Sequence, residues 1–230
     1  MSADPLSLLS DAARNWGVPL DDAALARVQS YLEDVKAKNA VTNLTADDGW
    51  DDLVLKHAAD GVFAASALRR VLKERGAPEK PRVLDLGAGG GFIGICLKIA
   101  WPNPEVTLME AVERKYKFLN SAITNLRMPG LRPLHRRAGA GAPSSSYSTG
   151  FDAVIERALA PLPFAVGLSF PLLAPKGIFA AFQSDEPDVK ESELARALAA
   201  AGARVLESVP YRRPGEDRDR RLLIFARKED

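Results

Sequence analysis

The chain has 230 residues, 47% of them hydrophobic, enough for one α/β domain with an appendage and too apolar for wholesale disorder. Its formal net charge of +1 neither favours nor excludes a polyanionic partner, so any electrostatic claim rests on clustering. The single cysteine, Cys96, excludes an internal disulfide framework and a multi-cysteine metal site.

Met1 to Leu9 carries Asp4 and Pro5 but no basic segment followed by an apolar core, so no signal peptide is expected. No apolar run is long enough to span a bilayer. A cytoplasmic, reducing location is the expectation. Residues 1–78 read as a helical extension. Leu6, Leu8, Leu9, Ala12 and Ala13 recur at helical spacing until Gly17–Val18–Pro19. Asp21 or Asp22 can cap a second helix carrying Leu25, Val28, Tyr31, Leu32 and Val35. A third stretch carries Leu53, Val54, His57, Val62, Phe63 and Leu68 and ends near Gly76–Ala77–Pro78.

From residue 79 to 230 the pattern alternates. Arg82 to Leu86 is a short apolar run stopped by glycines, as in a buried parallel strand. A helix at Phe92 to Ala100, a strand at Glu105 to Glu110 and a helix at Glu113 to Leu126 follow. Further strands are expected at Arg132 to His135, Phe151 to Ile155, Gly177 to Phe182, Ala203 to Val209 and Arg221 to Ala226, with a helix at Asp188 to Ala201. Ala138 to Gly150, rich in Gly, Ala and Ser, reads as a loop. Alternating strands and helices predict a doubly wound, mostly parallel sheet. The last two strands are joined by Tyr211 to Arg220 with no helix, so the final strand is expected to be antiparallel. The fold class is therefore α/β: a Rossmann-like class I methyltransferase core with seven strands and N-terminal helices, the two parts forming one compact unit.

The strongest motif is Val83–Leu84–Asp85–Leu86–Gly87–Ala88–Gly89–Gly90–Gly91. Glycines between a strand and a helix admit a ligand close to the backbone, at the carboxyl end of the strands where open α/β sheets bind. Gly89, Gly91 and Gly94 also satisfy a dinucleotide pattern, so a nicotinamide oxidoreductase is a rival. A phosphate gains nothing from the acid Asp85 at the strand end, whereas a ligand with an ammonium group does, which favours S-adenosylmethionine. Asp85 either contacts that cofactor or caps the loop's own amides. Glu110 ends the next strand and can accept both ribose hydroxyls of a nucleoside; the alternative is a solvated strand end.

These residues resemble one family, the RsmG (GidB) methyltransferases of small-subunit ribosomal RNA. The resemblance covers roughly residues 20 to 230 and rests on Asn43–Leu44–Thr45–Ala46, Lys56–His57, the glycine loop through Phe92–Ile93–Gly94, Lys115–x–Lys117–Phe118–Leu119 and Val154–Ile155–Glu156–Arg157–Ala158. It implies methylation of guanine N7 by S-adenosylmethionine. It implies cofactor contacts at Gly87, Phe92, Ala138, Gly139 and Arg157, beside Asp85, Gly89, Gly91 and Glu110 from the glycine-loop reading. Arg157 and His57 are the candidate catalytic residues. The chain departs from the family's usual pattern at Ile93 (proline), Gly139 (glutamate), Gln183–Ser184 (lysine–glycine) and Glu156 (serine).

Cys96 lies among Ile95 and Ile99 inside a helix, so it is expected to pack rather than attack. No amino-methylase Asn/Asp–Pro–Pro–Tyr follows the fourth strand, and guanine N7 needs no general base because it presents a free lone pair. Basic clusters at Arg69–Arg70–Lys73–Arg75, Arg136–Arg137, Arg212–Arg213 and Arg218–Arg220–Arg221 either contact phosphates or are solvated faces balanced by acids such as Asp217 and Asp219. The expected partner is ribosomal RNA or the small ribosomal subunit, with no membrane and no metal, and the chain acting as a monomer. The rival readings are a methyltransferase of a small molecule or protein, and a catalytically weakened RNA- or ribosome-binding module.

Overall fold

A computed structural model describes residues 4–140, 150–188, 190 and 192–228. Most of the stretch expected as a loop at Ala138 to Gly150 lies outside these residues.

The N-terminal helices begin where the sequence supplies caps. Asp4 accepts a hydrogen bond from the Ser7 amide (3.0 Å) and Pro5 opens α1 (Pro5–Asn15). Asp21, rather than Asp22, caps α2 (Asp22–Thr42), accepting from the Ala24 amide at 2.7 Å. The third helical stretch is longer than its apolar pattern. It starts as α3 (Trp50–Asp52), passes through a π-helical turn (Leu53–Ala58) and continues as α4 (Ala59–Glu74). A π turn fits one extra residue into the helix and so rotates the side chains before it relative to those after it. No hydrophobic period reveals such a turn.

The remaining elements are β1 (Arg82–Leu86), α5 (Phe92–Ala100), β2 (Glu105–Glu110), α6 (Glu113–Leu126), β3 (Leu131–His135), β4 (Phe151–Glu156), α7 (Leu162–Ser169), β5 (Leu173–Gln183), α8 (Ser192–Ala200), β6 (Ala203–Arg212) and β7 (Asp219–Arg227). The seven strands lie in the order β3-β2-β1-β4-β5-β7-β6. β1 pairs in parallel with β2 and β4, and β7 runs antiparallel to both β5 and β6, as the missing helix between the last strands predicts. β6 and β7 extend further than their apolar runs, and Arg212 Nη2 pairs with Asp219 at 2.8 Å across the end of their hairpin. α8 is shorter than expected, beginning at Ser192.

Strand alternation sends Val83, Ala153, Ile155 and Ala180 to one face of the sheet and Leu84, Leu86, Val154 and Phe179 to the other. The first face shares an apolar cluster with Leu9, Val28, Leu32 and Val62 of the N-terminal helices and Ile95 and Leu97 of α5. The chain order reverses between β1 and β4, which opens a crevice at their carboxyl ends.

Helices α4 and α5 touch backbone to side chain at Gly61. A Cβ there would stand 2.6 Å from both the Phe92 carbonyl oxygen and Cys96 Cβ. Gly61→Ala is expected to push the helices apart and cost about 1–3 kcal/mol by overpacking. Urea unfolding checks this, and an unchanged midpoint would show that the crossing has slack.

Candidate active site

Two cavities open at the crevice. One, of about 640 Å³, is lined by Asp85, Phe92, His57, Glu156, Arg157 and Gln183 among others. The other, of about 430 Å³, is lined by Met109, Glu110, Arg136, Arg137, Ala138 and Phe164 among others. Both share Gly87, Gly89, Lys115, Ala158 and Ala160, so they meet over the glycine loop.

Asp85 is buried, and its Oδ2 accepts from the Gly94 amide at 2.8 Å. Gly91, the residue that opens α5, has no side chain to cap the helix, and Asp85 does so from the neighbouring strand. Burial pushes the Asp85 carboxyl up to about 7, against the Gly94 bond and the Arg157 charge. Glu110 is not a solvated strand end. It is buried, with Oε2 accepting from the Gly89 amide (2.9 Å) and Oε1 from the Val112 amide (2.7 Å). It thereby ties β2 to the glycine loop, and each oxygen, accepting one bond, retains capacity for another beside the cavity the residue lines.

The structure separates the remaining candidate cofactor residues. Gly87 and Gly89 line both cavities, and Ala138 lines the smaller one. Gly91 lines neither and packs against Ile95 and Leu119. Gly139 also lines neither; it is exposed, with φ +75°, beside Leu168. The family's acid at this position would sit in the left-handed region here, so the backbone accounts for glycine.

His57, on the π turn, stacks on Phe92 with ring centroids 4.3 Å apart. Its Nδ1 lies 2.7 Å from Arg157 Nη2 and its Nε2 lies 3.0 Å from Thr45 Oγ1. Both ring nitrogens are thus engaged, and no free one remains to shuttle a proton. Burial, aided by the Arg157 charge, holds the ring down at about 4, so it is neutral at pH 7. Thr45 is held in turn by Asn39, whose side chain bonds the Leu44 and Thr45 amides (2.8 and 3.0 Å) and the Thr45 carbonyl (2.9 Å).

Residue reading missed the centre of this network. Asp60 is fully buried and binds Arg157, Arg213 and Tyr211. Burial alone would raise its carboxyl, but the Arg213 hydrogen bonds and the two guanidinium charges hold it below the usual value. One signal was available: Asp60 is the sole charged residue between His57 and Arg69, and a lone acid in an apolar helix must be paired. Glu156 is also buried, with Oε2 accepting from the Leu159 amide (3.1 Å) and Oε1 without a hydrogen-bond partner. Burial pushes it up to about 7, with the Asp85 charge adding to the rise.

The basic clusters separate by location. Arg70 pairs with Glu207, midway along β6, and Arg75 donates to the Lys176 carbonyl near the start of β5, away from the crevice. Arg218, Arg220 and Arg221 pair with Asp185, Glu216 and Glu186. Arg136 and Arg137 line the smaller cavity. Cys96 is buried and its thiol is pushed up to about 12 by burial, which makes it core rather than nucleophile. Among the described residues no group of His, Cys, Asp and Glu could hold a metal, and no helix is long and apolar enough to cross a membrane.

A sheet of this order, with one antiparallel strand and a glycine loop at the switch point, defines the class: a Rossmann-like methyltransferase. Solved structures share that fold. They include a SAM-dependent methyltransferase from Aquifex aeolicus (TM-score 0.53, 19% identity, 80% of this chain and 97% of that one). Another is TYW2 of M. jannaschii in complex with AdoMet (TM-score 0.50, 15% identity, 69% and 74%). The family model for GidB, rRNA small subunit methyltransferase G, matches residues 24–218, and the chain belongs to that family. Curated relatives named ribosomal RNA small subunit methyltransferase G include one from Geobacter sp. (strain M21), 33% identical over 96% of each chain. One from Ralstonia nicotianae is 33% identical over 97% of this chain and 96% of that one.

The His57 ring makes stability depend on pH. Unfolded, it takes a proton near 6.5; folded, only near about 4. Between those values the unfolded chain binds more protons, so this contribution is full above about 6.5 and is lost on acidification towards 4. The stability gap between wild type and His57→Gln is expected to narrow across that window by up to about 3 kcal/mol. Urea unfolding at stepped pH measures it, and a constant gap would contradict a buried, neutral ring.

Proposed function

We propose that this chain transfers a methyl group from S-adenosylmethionine to N7 of a guanine in small-subunit ribosomal RNA. The observation that carries the reading is the pair of cavities meeting over Gly87 and Gly89 at the carboxyl ends of β1 and β4. Their donors and acceptors fit the cofactor. Glu110 and Ala138 line the end suited to a nucleoside, the acid serving the ribose hydroxyls. On the other side, Asp85 and the unpartnered Oε1 of Glu156 suit the ammonium of an amino-acid arm. Arg157 lies beyond them, its side chain 18% exposed.

S-adenosylmethionine supplies an activated methyl group on a sulfonium, so the protein's work is alignment and exclusion of water. Phe92 and His57 form an apolar-faced wall, and Arg157 stands where the fourth strand ends. His57 has no free nitrogen and Cys96 is core, which suits a nucleophile that brings its own lone pair. Arg136 and Arg137, which line the smaller cavity, suit an RNA phosphate.

The decisive experiment incubates the protein with labelled S-adenosylmethionine and small ribosomal subunits from a strain lacking it, then maps the label. Methylation at guanine N7 is expected; label only on protein or on a small molecule would move the assignment to those substrates. Glu110→Ala is expected to weaken binding of both S-adenosylmethionine and S-adenosylhomocysteine by about 2 kcal/mol, because the two share the ribose. Calorimetry on a variant with an intact melting transition reads this, and unchanged affinity removes Glu110 from the ribose.

A further inference from the structure

Asp60 accepts four hydrogen bonds although no solvent reaches it. Tyr211 OH (2.7 Å) and Arg213 Nε (2.8 Å) donate to Oδ1; Arg213 Nη2 (2.6 Å) and Arg157 Nη1 (2.8 Å) donate to Oδ2. Arg213 thus grips the carboxylate with two arms, and Arg157 is left with one arm on Asp60 and another on His57. A guanidinium is planar and only donates. Its Nη2, 2.7 Å from His57 Nδ1, must therefore meet a bare nitrogen, and the ring's one proton sits on Nε2, 3.0 Å from Thr45 Oγ1.

We propose that Asp60 is a positioning residue: by fixing the plane of the Arg157 guanidinium it sets His57 as the neutral Nε2–H tautomer, stacked on Phe92 at the cavity wall. Its effect on turnover rests on the methyl-transfer reading; its effect on the imidazole does not. The geometry separates two roles within the cluster. Arg213 compensates the buried charge and also reaches Glu216 at 3.2 Å, away from the ring. Among the described residues Arg157 alone hydrogen-bonds both the carboxylate and His57.

The test is nitrogen-15 NMR of the imidazole rings in the full chain. The sequence has 2 histidines, so His135→Gln assigns the spectrum. Wild type is expected to show a single Nε2–H tautomer for His57. Asp60→Asn is nearly isosteric but offers one acceptor oxygen to neighbours that are all donors. It is expected to release Arg157, give a tautomer mixture and lower methyl transfer on the order of 100-fold. In an Arg157→Ala background the same change is expected to cost little more, since the effect runs through Arg157.

Should Asp60→Asn fail to fold, Arg157→Lys asks the same question. Lysine keeps a charge beside Asp60 but has no planar fork to bridge to His57, and the single tautomer is expected to be lost. Tyr211→Phe removes one donor and leaves the bridge; it is expected to lower the melting temperature with the His57 spectrum unchanged. A single Nε2–H tautomer persisting in folded Asp60→Asn or in Arg157→Lys overturns the proposal. So does Tyr211→Phe if it scrambles the ring as fully as the other two. A wild type that methylates no RNA while these spectra behave as stated would sink the function reading and leave this one standing.

Discussion

Taking a carboxylate wholly out of water costs several kcal/mol unless donors and opposite charge replace its hydration. Asp60 meets that requirement with side chains 97, 151 and 153 residues away in the chain. The N-terminal helices, the turn after β4 and the end of β6 must therefore arrive together for the acid to be tolerated. When they do, Arg157 and His57 are oriented with them, and His57 reaches Thr45 and the loop that Asn39 organises. The helical extension is thus part of the crevice wall. The π turn matters for the same reason, because it sets where His57 points relative to Asp60 on one continuous helical path.

The glycine loop shows a second economy of polar groups. Asp85 and Glu110 spend hydrogen bonds on the protein itself, one on the start of α5 and one on the loop and the turn after β2. The same two side chains line the cavities. Structural support therefore does not exclude a ligand contact by these acids. A carboxylate held rigidly by amides is already oriented for whatever uses its remaining lone pairs, so little conformational entropy is lost on binding. Tyr31 adds to this rigidity from α2, donating to the Gly90 carbonyl at 2.8 Å.

Charge is distributed unevenly around the larger cavity. Asp85 and Glu156 are both shifted to about 7 by burial, while Asp60 stays ionised against two arginines. The lining thus combines two easily protonated acids with a buried cluster that carries excess positive charge. Elsewhere the arginines largely meet acids: Arg70, Arg212, Arg218, Arg220 and Arg221 all have carboxylate partners. Their density in the sequence overstates the positive field of the surface, since a paired guanidinium contributes little beyond a Debye length.

Local sequence determined much of this protein. Short apolar runs marked all seven strands, the first of them stopped by glycines. The absence of a helix before the last strand marked its reversed direction, and Asp21 or its neighbour Asp22 marked the start of the second helix. Asp85, Gly87, Gly89 and Glu110 were legible as candidates because a strand, a glycine turn and a second strand bring them together within about thirty residues, whereas Phe92 came from the family resemblance. What sequence could not show depends on long-range contact. Nothing local marks a π turn. The grouping of Asp60 with Arg157, Tyr211 and Arg213, the packing role of Gly91 and the pairing of the arginines exist only once distant segments meet. Periodicity reports which face of an element is buried; which buried polar atoms find one another is decided by tertiary packing, where an unmet charge is too costly to survive.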